Sequence, residues 1–446
     1  MEHPTLTHPD AQPPADAAPY PRRWWATVPL SLGIFISAID ATVVNVALPS
    51  IVDDLDATNA DLQWILDAYI VVLAGFILLG GGLADRFGRR GVFVAGFTVF
   101  GIGSMLGAFA GSTSTLIAAR AITGVGGALM LPPALAIISV IFTDLTERTR
   151  AVAIYAGIAG VGIAAGPVVG GLLLDEFWWG SVFLVNVPVC VLAVALTVWL
   201  VPTSRKPGGE RLDVTGAALS VLSLGALVYG IIEGPANGWF DPEIALALGL
   251  GIALLVAFTW WELHTPAPMF DVRVLRIPAV AGAATAIFLV YLTSYGLLYL
   301  IPQYLQYVLG YSTIEVGLGM LPFGVLFAAL SPRSARIAAR FGIGPTIVGG
   351  LVMMTAGLFL LGLTREFSGF AIVAAGEVVY ALGWASLMAP ATTAVMNALP
   401  VEKAGDGSAV NQLSRQVGGA FGVAVVGSVF ASVYLSRLGS VAGLTA

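Results

Sequence analysis

Long apolar runs, separated by short polar, glycine or proline punctuation, recur from Trp25 to the end of the chain. A helix needs about 20 such residues to cross a bilayer. Hydropathy and loop signals predict thirteen spans, at about 25–48, 62–84, 91–111, 114–142, 150–174, 180–201, 212–233, 243–262, 279–302, 314–331, 343–363, 368–396 and 407–435. The first span interrupts its own pattern with Asp40, roughly 13 Å short of its far end at about 1.5 Å per residue. A carboxylate so deep costs at least about 2.5 kcal/mol on insertion scales, so it needs a partner or a wet cavity.

Composition agrees with this pattern. Of 446 residues, 58% are hydrophobic and 10% charged, against about 25% charged in soluble domains. The chain reads as an all-α polytopic membrane protein. The net charge of -6 is small and the basic residues form no patch for nucleic acid. Cys190 is alone, and His3, His8 and His264 fall in tail or loop, so neither a cofactor nor a metal is expected. Residues 1–24, rich in Pro, Ala and Asp, lack a signal-peptide layout and read as a disordered cytoplasmic tail.

Charge also sets orientation. The tail and the even-numbered loops hold all but four of the 20 Lys and Arg residues, Arg86, Arg89, Arg90, Arg205, Lys206 and Arg211 among them. The exceptions are Arg120 and Arg415 within spans, Arg365 in an odd-numbered loop and Arg437 at the last span's end. The positive-inside rule then puts the N-terminus in the cytoplasm. The first external loop is acidic, with Asp53, Asp54, Asp56 and Asp61.

The segment GLADRFG (82–88), after the second span, lines up with RIAARFG (336–342), after the tenth. Weak internal symmetry of this kind marks transporters built from two homologous bundles. The expected divisions are the tail, a six-helix bundle over 25–201, a two-helix insert with flanking loops over 202–277, and a second bundle over 278–446.

Four stretches carry chemistry. GGLADRFGRR (81–90) joins spans two and three: Gly81 and Gly88 permit a tight turn, Asp85 can cap a helix or pair with a guanidinium, and Arg86, Arg89 and Arg90 suit anionic headgroups. IDATVVNVALP (39–49) carries Asp40 and Asn45; RAITGVGGALMLPPA (120–134) opens on Arg120; GIAAGPVVGG (162–171) spaces Gly162, Gly166, Pro167, Gly170 and Gly171. Arg120 is about 9 Å into its span, near the level of Asp40. It is expected to face that acid, either tuning its protonation or merely fastening the two helices. The glycines allow close helix packing, and Pro167 favours a bend.

Together these stretches resemble the major facilitator superfamily, and within it the 14-helix drug:proton antiporters. The resemblance implies two six-helix bundles with two inserted helices, alternating access, a buried arginine associated with proton coupling, and a fifth helix at the bundle interface. Thr123 stands where a glutamine is usual. Thirteen spans are found where fourteen are implied, and the segment after Arg437 is too short to cross, so the chain reads as truncated.

Glu377 is a candidate acid in the second bundle, whereas Asp67 is either a cavity acid or simply hydrated. Glu233 reads as an interfacial cap, and Arg415 as lying near the cytoplasmic end of its span. Trp64, Tyr69, Tyr291, Tyr295, Tyr299, Tyr380 and Trp384 could line an aromatic cavity or face lipid. No Walker or GxSxG sequence is present, so no enzyme is expected. The expected activity is proton-coupled export of drugs, antibiotics or other small amphipathic compounds by a monomer in the inner membrane. A proton-coupled nutrient symporter or a non-transporting sensor are the alternatives.

Overall fold

The computed structural model describes residues 20–204, 212–266, 268–269, 271–364, 369–400 and 403–442. The tail before Tyr20 and the loop cations Arg205, Lys206, Arg211 and Arg365 lie outside the described residues, as does the Arg437 side chain. Among those described, thirteen helices are long and apolar enough to cross a membrane. They are α1 (Arg23–Leu55), α2 (Asn59–Phe87), α3 (Arg89–Ala108), α4 (Thr113–Ile141), α5 (Leu145–Glu176) and α6 (Ser181–Leu200). The insert contributes α7 (Val214–Asn237) and α8 (Pro242–His264). Then follow α9 (Pro278–Val308), α10 (Thr313–Gly319 running on through Leu321–Phe341), α11 (Ile343–Gly362), α12 (Phe370–Asn397) and α13 (Ala404–Ala442).

Local chemistry sets many of the ends. Thr58 and Asp61 form a reciprocal capping box on α2, and Ser312 and Glu315 repeat it on α10. Asp144, Asp213 and Asp241 cap α5, α7 and α8 by accepting from backbone N–H groups. The repeated segment is a structural repeat as well. Gly88 (φ 104°) and Gly342 (φ 91°) each close one helix and start the next, in a region that disfavours any side chain. Each donates its N–H to an alanine four residues back, Ala84 or Ala338.

Pro49 does not end α1, as the hydropathy expected. The helix continues to Leu55 because Ile51 is buried in the bundle, so tertiary packing outlasts the apolar run. Asp40 is therefore farther from its helix end than the sequence implied.

Helices α1 to α6 pack mainly among themselves, and so do α9 to α13. The two groups meet where α5 packs on α10, α2 on α13 and α1 on α9. Helix α7 lies along the α2–α13 seam, whereas α8 packs chiefly on α7 and turns Leu246, Ile252, Val256 and Trp260 outward. Such apolar outer faces suit lipid. At the bundle end opposite the N-terminus, hydrogen bonds tie the groups together. Tyr299 Oη donates to Asn59 Oδ1 (2.5 Å) and Gln306 Nε2 to the Val46 carbonyl (3.2 Å), and Ser428 Oγ lies 3.4 Å from Gln63 Oε1. Near the N-terminal end, Lys403 donates to Asp271 (2.8 Å), and that bond holds the Asp271 carboxyl below the usual carboxylate range.

Candidate functional site

The site starts from close helix approach. A Cβ on Gly124 would lie 2.6 Å from the Tyr69 carbonyl, and one on Gly126 would strike the Phe100 backbone. These glycines bring α4 against α2 and α3 at backbone distance. Thr123 bonds back to the Ala119 carbonyl (2.9 Å) and packs on Gly103 of α3, where an added Cβ would collide with it.

Arg120 is thereby aimed across the bundle. Its Nη1 lies 2.6 Å from Asp40 Oδ2, with the acid fully buried and the arginine 2% exposed. The guanidinium is held on two further sides. Its Nε donates to the Ile65 carbonyl (3.0 Å), and its plane lies over Tyr69 (4.7 Å) and Phe183 (5.6 Å). Tyr69 is pinned in turn by a hydrogen bond to Ser37 (2.7 Å).

The second oxygen of Asp40 has a partner that sequence reasoning missed. Asn186 Nδ2, at the start of the long stretch of α6, donates to Asp40 Oδ1 (2.9 Å) and also reaches Ser104 Oγ (3.2 Å). An amide inside the apolar run SVFLVNVPV was the available signal. The acid is thus a hub for α1, α4 and α6.

A small cavity beside this hub is lined by Asn45, Tyr69 and Arg120 from the first group and by Tyr295, Leu298 and Val423 from the second. It has room for a water-sized occupant, not a drug-sized one. Asn45 itself bonds to the Ala41 carbonyl (3.0 Å).

Glu377 lies in the other group, 3% exposed, with Oε2 buried and unpartnered. It lines a second cavity with Ser294, Phe323 and Tyr380. Tyr380 is anchored by hydroxyl bonds to Thr293 (2.7 Å) and Ser294 (2.8 Å). Trp384 is stacked against Phe327 (4.4 Å) and meets Tyr291 edge-on (6.2 Å), and Tyr291 lies 6.1 Å from Tyr295.

The fifth-helix glycines divide between two neighbours. Gly162, Gly166 and Gly170 pack on α1, where added Cβ atoms would meet Phe35, Thr42 and Val43. Gly171 faces α10 instead, 2.7 Å from the Thr313 carbonyl for a Cβ built there. From the opposite side, Gly317 would meet the Pro167 carbonyl at 2.5 Å, and Gly324 would strike Ala164. Helix α5 is a small-residue seam between the groups.

Several sequence expectations need correction. Asp67 is not at a shallow, exposed position: it is fully buried, and among the described residues neither carboxylate oxygen has a hydrogen-bond partner. Glu233 is no terminal cap, because α7 runs on to Asn237 and the carboxylate accepts from Trp64 Nε1 (3.3 Å). Trp64, which also lies against Tyr229 (6.2 Å), therefore faces the insert and not the central cavity. Replacing Trp64 with Phe keeps the ring and removes one long hydrogen bond. We expect it to lower stability by about 1 kcal/mol, read as a modest fall in Tm of the purified protein, with export unchanged.

In the 81–90 loop, Asp85 accepts from Arg89 Nε (2.9 Å), and Arg89 also reaches the Ala136 carbonyl (3.3 Å). Arg89 is thus a helix tie and not a headgroup anchor. Arg86 lies over the exposed Phe87 ring (5.5 Å), Arg90 is half-buried, and Gly81 rests on Pro132. Arg415 is not at a helix end. It sits eleven residues into α13, over the Tyr291 ring (5.8 Å).

Two helix groups of this kind, with a positively charged turn repeated in each, match one profile across most of the chain: that of the Major Facilitator Superfamily, over residues 30–423. The chain belongs to the Major Facilitator Superfamily. It is a multi-pass membrane protein of that superfamily's transporter fold. The Multidrug resistance protein Stp of Mycobacterium tuberculosis (strain CDC 1551 / Oshkosh) is 36% identical over 401 residues, covering 90% of this chain and 74% of the relative. The Puromycin resistance protein pur8 of Streptomyces alboniger is 36% identical, covering 92% and 82%. The Multidrug efflux pump LfrA of Mycolicibacterium smegmatis (strain ATCC 700084 / mc(2)155) is 34% identical, covering 95% and 84%. These relatives mark the branch that the sequence motifs resemble, the drug:proton antiporters. Among solved structures, a D-xylose-proton symporter superposes with a TM-score of 0.65 at 16% identity, covering 91% of this chain and 90% of that one. A peptide transporter POT in complex with sulfate gives 0.67 at 16%, covering 97% of each. At such identity they speak to fold alone.

Proposed function

We propose that this protein exports small amphipathic compounds, drugs or antibiotics among them, from the cytoplasm across the inner membrane in exchange for protons. It works as a monomer, with its N-terminus inside. The observation that carries this reading is the Asp40–Arg120 pair, at 2.6 Å and shut away from solvent. Arg120 keeps its charge, and Asp40 is the acid beside it. Protonating Asp40 leaves Arg120 without its counter-ion, so proton binding and the arrangement of α1, α4 and α6 are coupled.

The remaining steps follow from the seams. Cargo bound between the groups competes with the proton, and the groups rock about the α5–α10 contact to expose the centre on alternate sides. Glu377 supplies an acid in the second group. The relatives' names, which cite multidrug, puromycin and efflux functions, support drug-like cargo. Orientation rests on the Lys and Arg bias, which puts the Arg86–Arg90 turn in the cytoplasm.

Everted vesicles with an acid lumen test the reading directly. Adding puromycin or methyl viologen outside should alkalinise the lumen while the compound accumulates within. A symporter would need its compound in the lumen for protons to leave. No proton movement with any compound of a broad resistance panel overturns the exchange proposal.

A further inference from the structure

Two arginines lie within spans, and their circumstances differ. Arg120 has a carboxylate, a carbonyl and two aromatic faces. Arg415 has a tyrosine face at 5.8 Å and one long bond from Nη2 to Thr392 Oγ1 (3.4 Å). Its Nε is buried without a partner, and among the described residues no carboxylate oxygen lies within 4 Å of it. A cation in a membrane interior normally pairs with an acid or with carbonyls. This one is held in place and left unpaired.

Its surroundings show the same shortage. Trp384, 3% exposed, carries an indole N–H with no acceptor. Tyr291 joins the two donors, lying 6.2 Å from Trp384 and 5.8 Å from the guanidinium. Asn411, one turn below Arg415 on α13, has a buried Oδ1 with no donor. The flat faces of Phe327 and Trp384 stack beside them. Arg415 itself points at α9 and α12, through Tyr291 and Thr392, so its side chain faces the interior of the second group.

We propose that Arg415, Trp384 and Asn411 form a cargo subsite in the second group for planar aromatic molecules with an acceptor-rich edge, a phenolate or a hydroxyl beside a ring carbonyl. The ring lies along Tyr291 and Trp384. The acceptor atoms take the Arg415 Nε–H and Trp384 Nε1–H bonds, and an adjacent hydroxyl donates to Asn411 Oδ1. A guanidinium meant only to hold helices together would be closed off by carbonyls, as Arg120 Nε is by Ile65. The subsite rests on the export reading for its role as cargo site, but it is testable by binding alone.

The test uses the full chain in lipid nanodiscs with two planar probes: alizarin, a hydroxyanthraquinone with the acceptor edge, and ethidium, a cation without one. Arg415→Gln should weaken alizarin binding by at least about tenfold, since bonds to a charged donor are about twice as strong as neutral ones, and leave ethidium binding unreduced. Arg415→Lys, which keeps charge but loses the planar fork, should fall between. Trp384→Phe, which keeps an aromatic ring, should weaken alizarin selectively, and it decides the matter if Arg415→Gln does not assemble. Equal weakening of both probes, no change in either, or no alizarin binding by the unaltered protein overturns the proposal. Absence of proton exchange in vesicles would remove the export reading and leave these binding results standing.

Discussion

Asp40→Asn abolishes drug-dependent proton release in everted vesicles and also lowers the Tm of the purified protein. Both effects come from one substitution because Asp40 is the counter-ion of a buried arginine. Removing one partner of such a pair leaves the other charged and unpaired, which costs about 3–5 kcal/mol. Stability and exchange should then separate in a second variant. With Arg120→Gln added, no unpaired charge remains at the hub, and most of the lost Tm should return. Proton release should stay absent, because no acid remains at the hub. The Asn186 amide should still bridge to the introduced side chain, so the three helices keep their arrangement. Exchange by Asp40→Asn at the unaltered rate would take this residue out of the proton path.

Gly171→Leu stops exchange by another route and spares the acid. Its added Cβ would lie 2.7 Å from the Thr313 carbonyl and 2.8 Å from Ile314 Cα. Both are backbone atoms of α10, so no rotamer change relieves the contact. Overpacking of this kind costs about 1–3 kcal/mol where the backbone must shift, and here the shift available is separation of the two groups. We expect exchange to fall by more than about tenfold, equivalent to about 1.4 kcal/mol against the closed outer face. An Ala41→Cys reporter beside the central cavity should react faster with an impermeant maleimide from outside. Cys190 is buried and gives little background. Gly249→Leu on α8, with nothing within 4 Å of the added carbon, is the control and should change neither readout. Unchanged exchange in Gly171→Leu would mean that the α5–α10 contact does not open during the cycle.

Helix number and order were legible because each crossing must hide its own backbone polarity, which forces long apolar runs. The Asp40–Arg120 pairing was also legible, since two opposite charges at similar depth, in the first and fourth apolar runs, have few ways to be satisfied. What sequence could not show was which helix faces meet. Asn186 became a partner of Asp40 only once α6 lay against α1. Trp64 looked like a cavity aromatic until α7 docked on α2 and presented Glu233. Arg415 was misplaced because hydropathy begins its span late, whereas the helix starts at Ala404. Asp67 looked shallow along its own helix, yet the helices around it bury it fully.

Helix α7 is clasped from both sides near the end where the two groups are tied. Trp64 of α2 donates to Glu233, and Ser428 of α13 donates to the Ile231 carbonyl (2.6 Å). If the groups part there, one clasp has to let go. The Ser428 bond is the shorter, so the inserted pair would travel with the second group and uncover Glu233 at the widening gap. A negative charge would then stand at the vestibule mouth only while the carrier faces outward, a transient greeting for incoming cations.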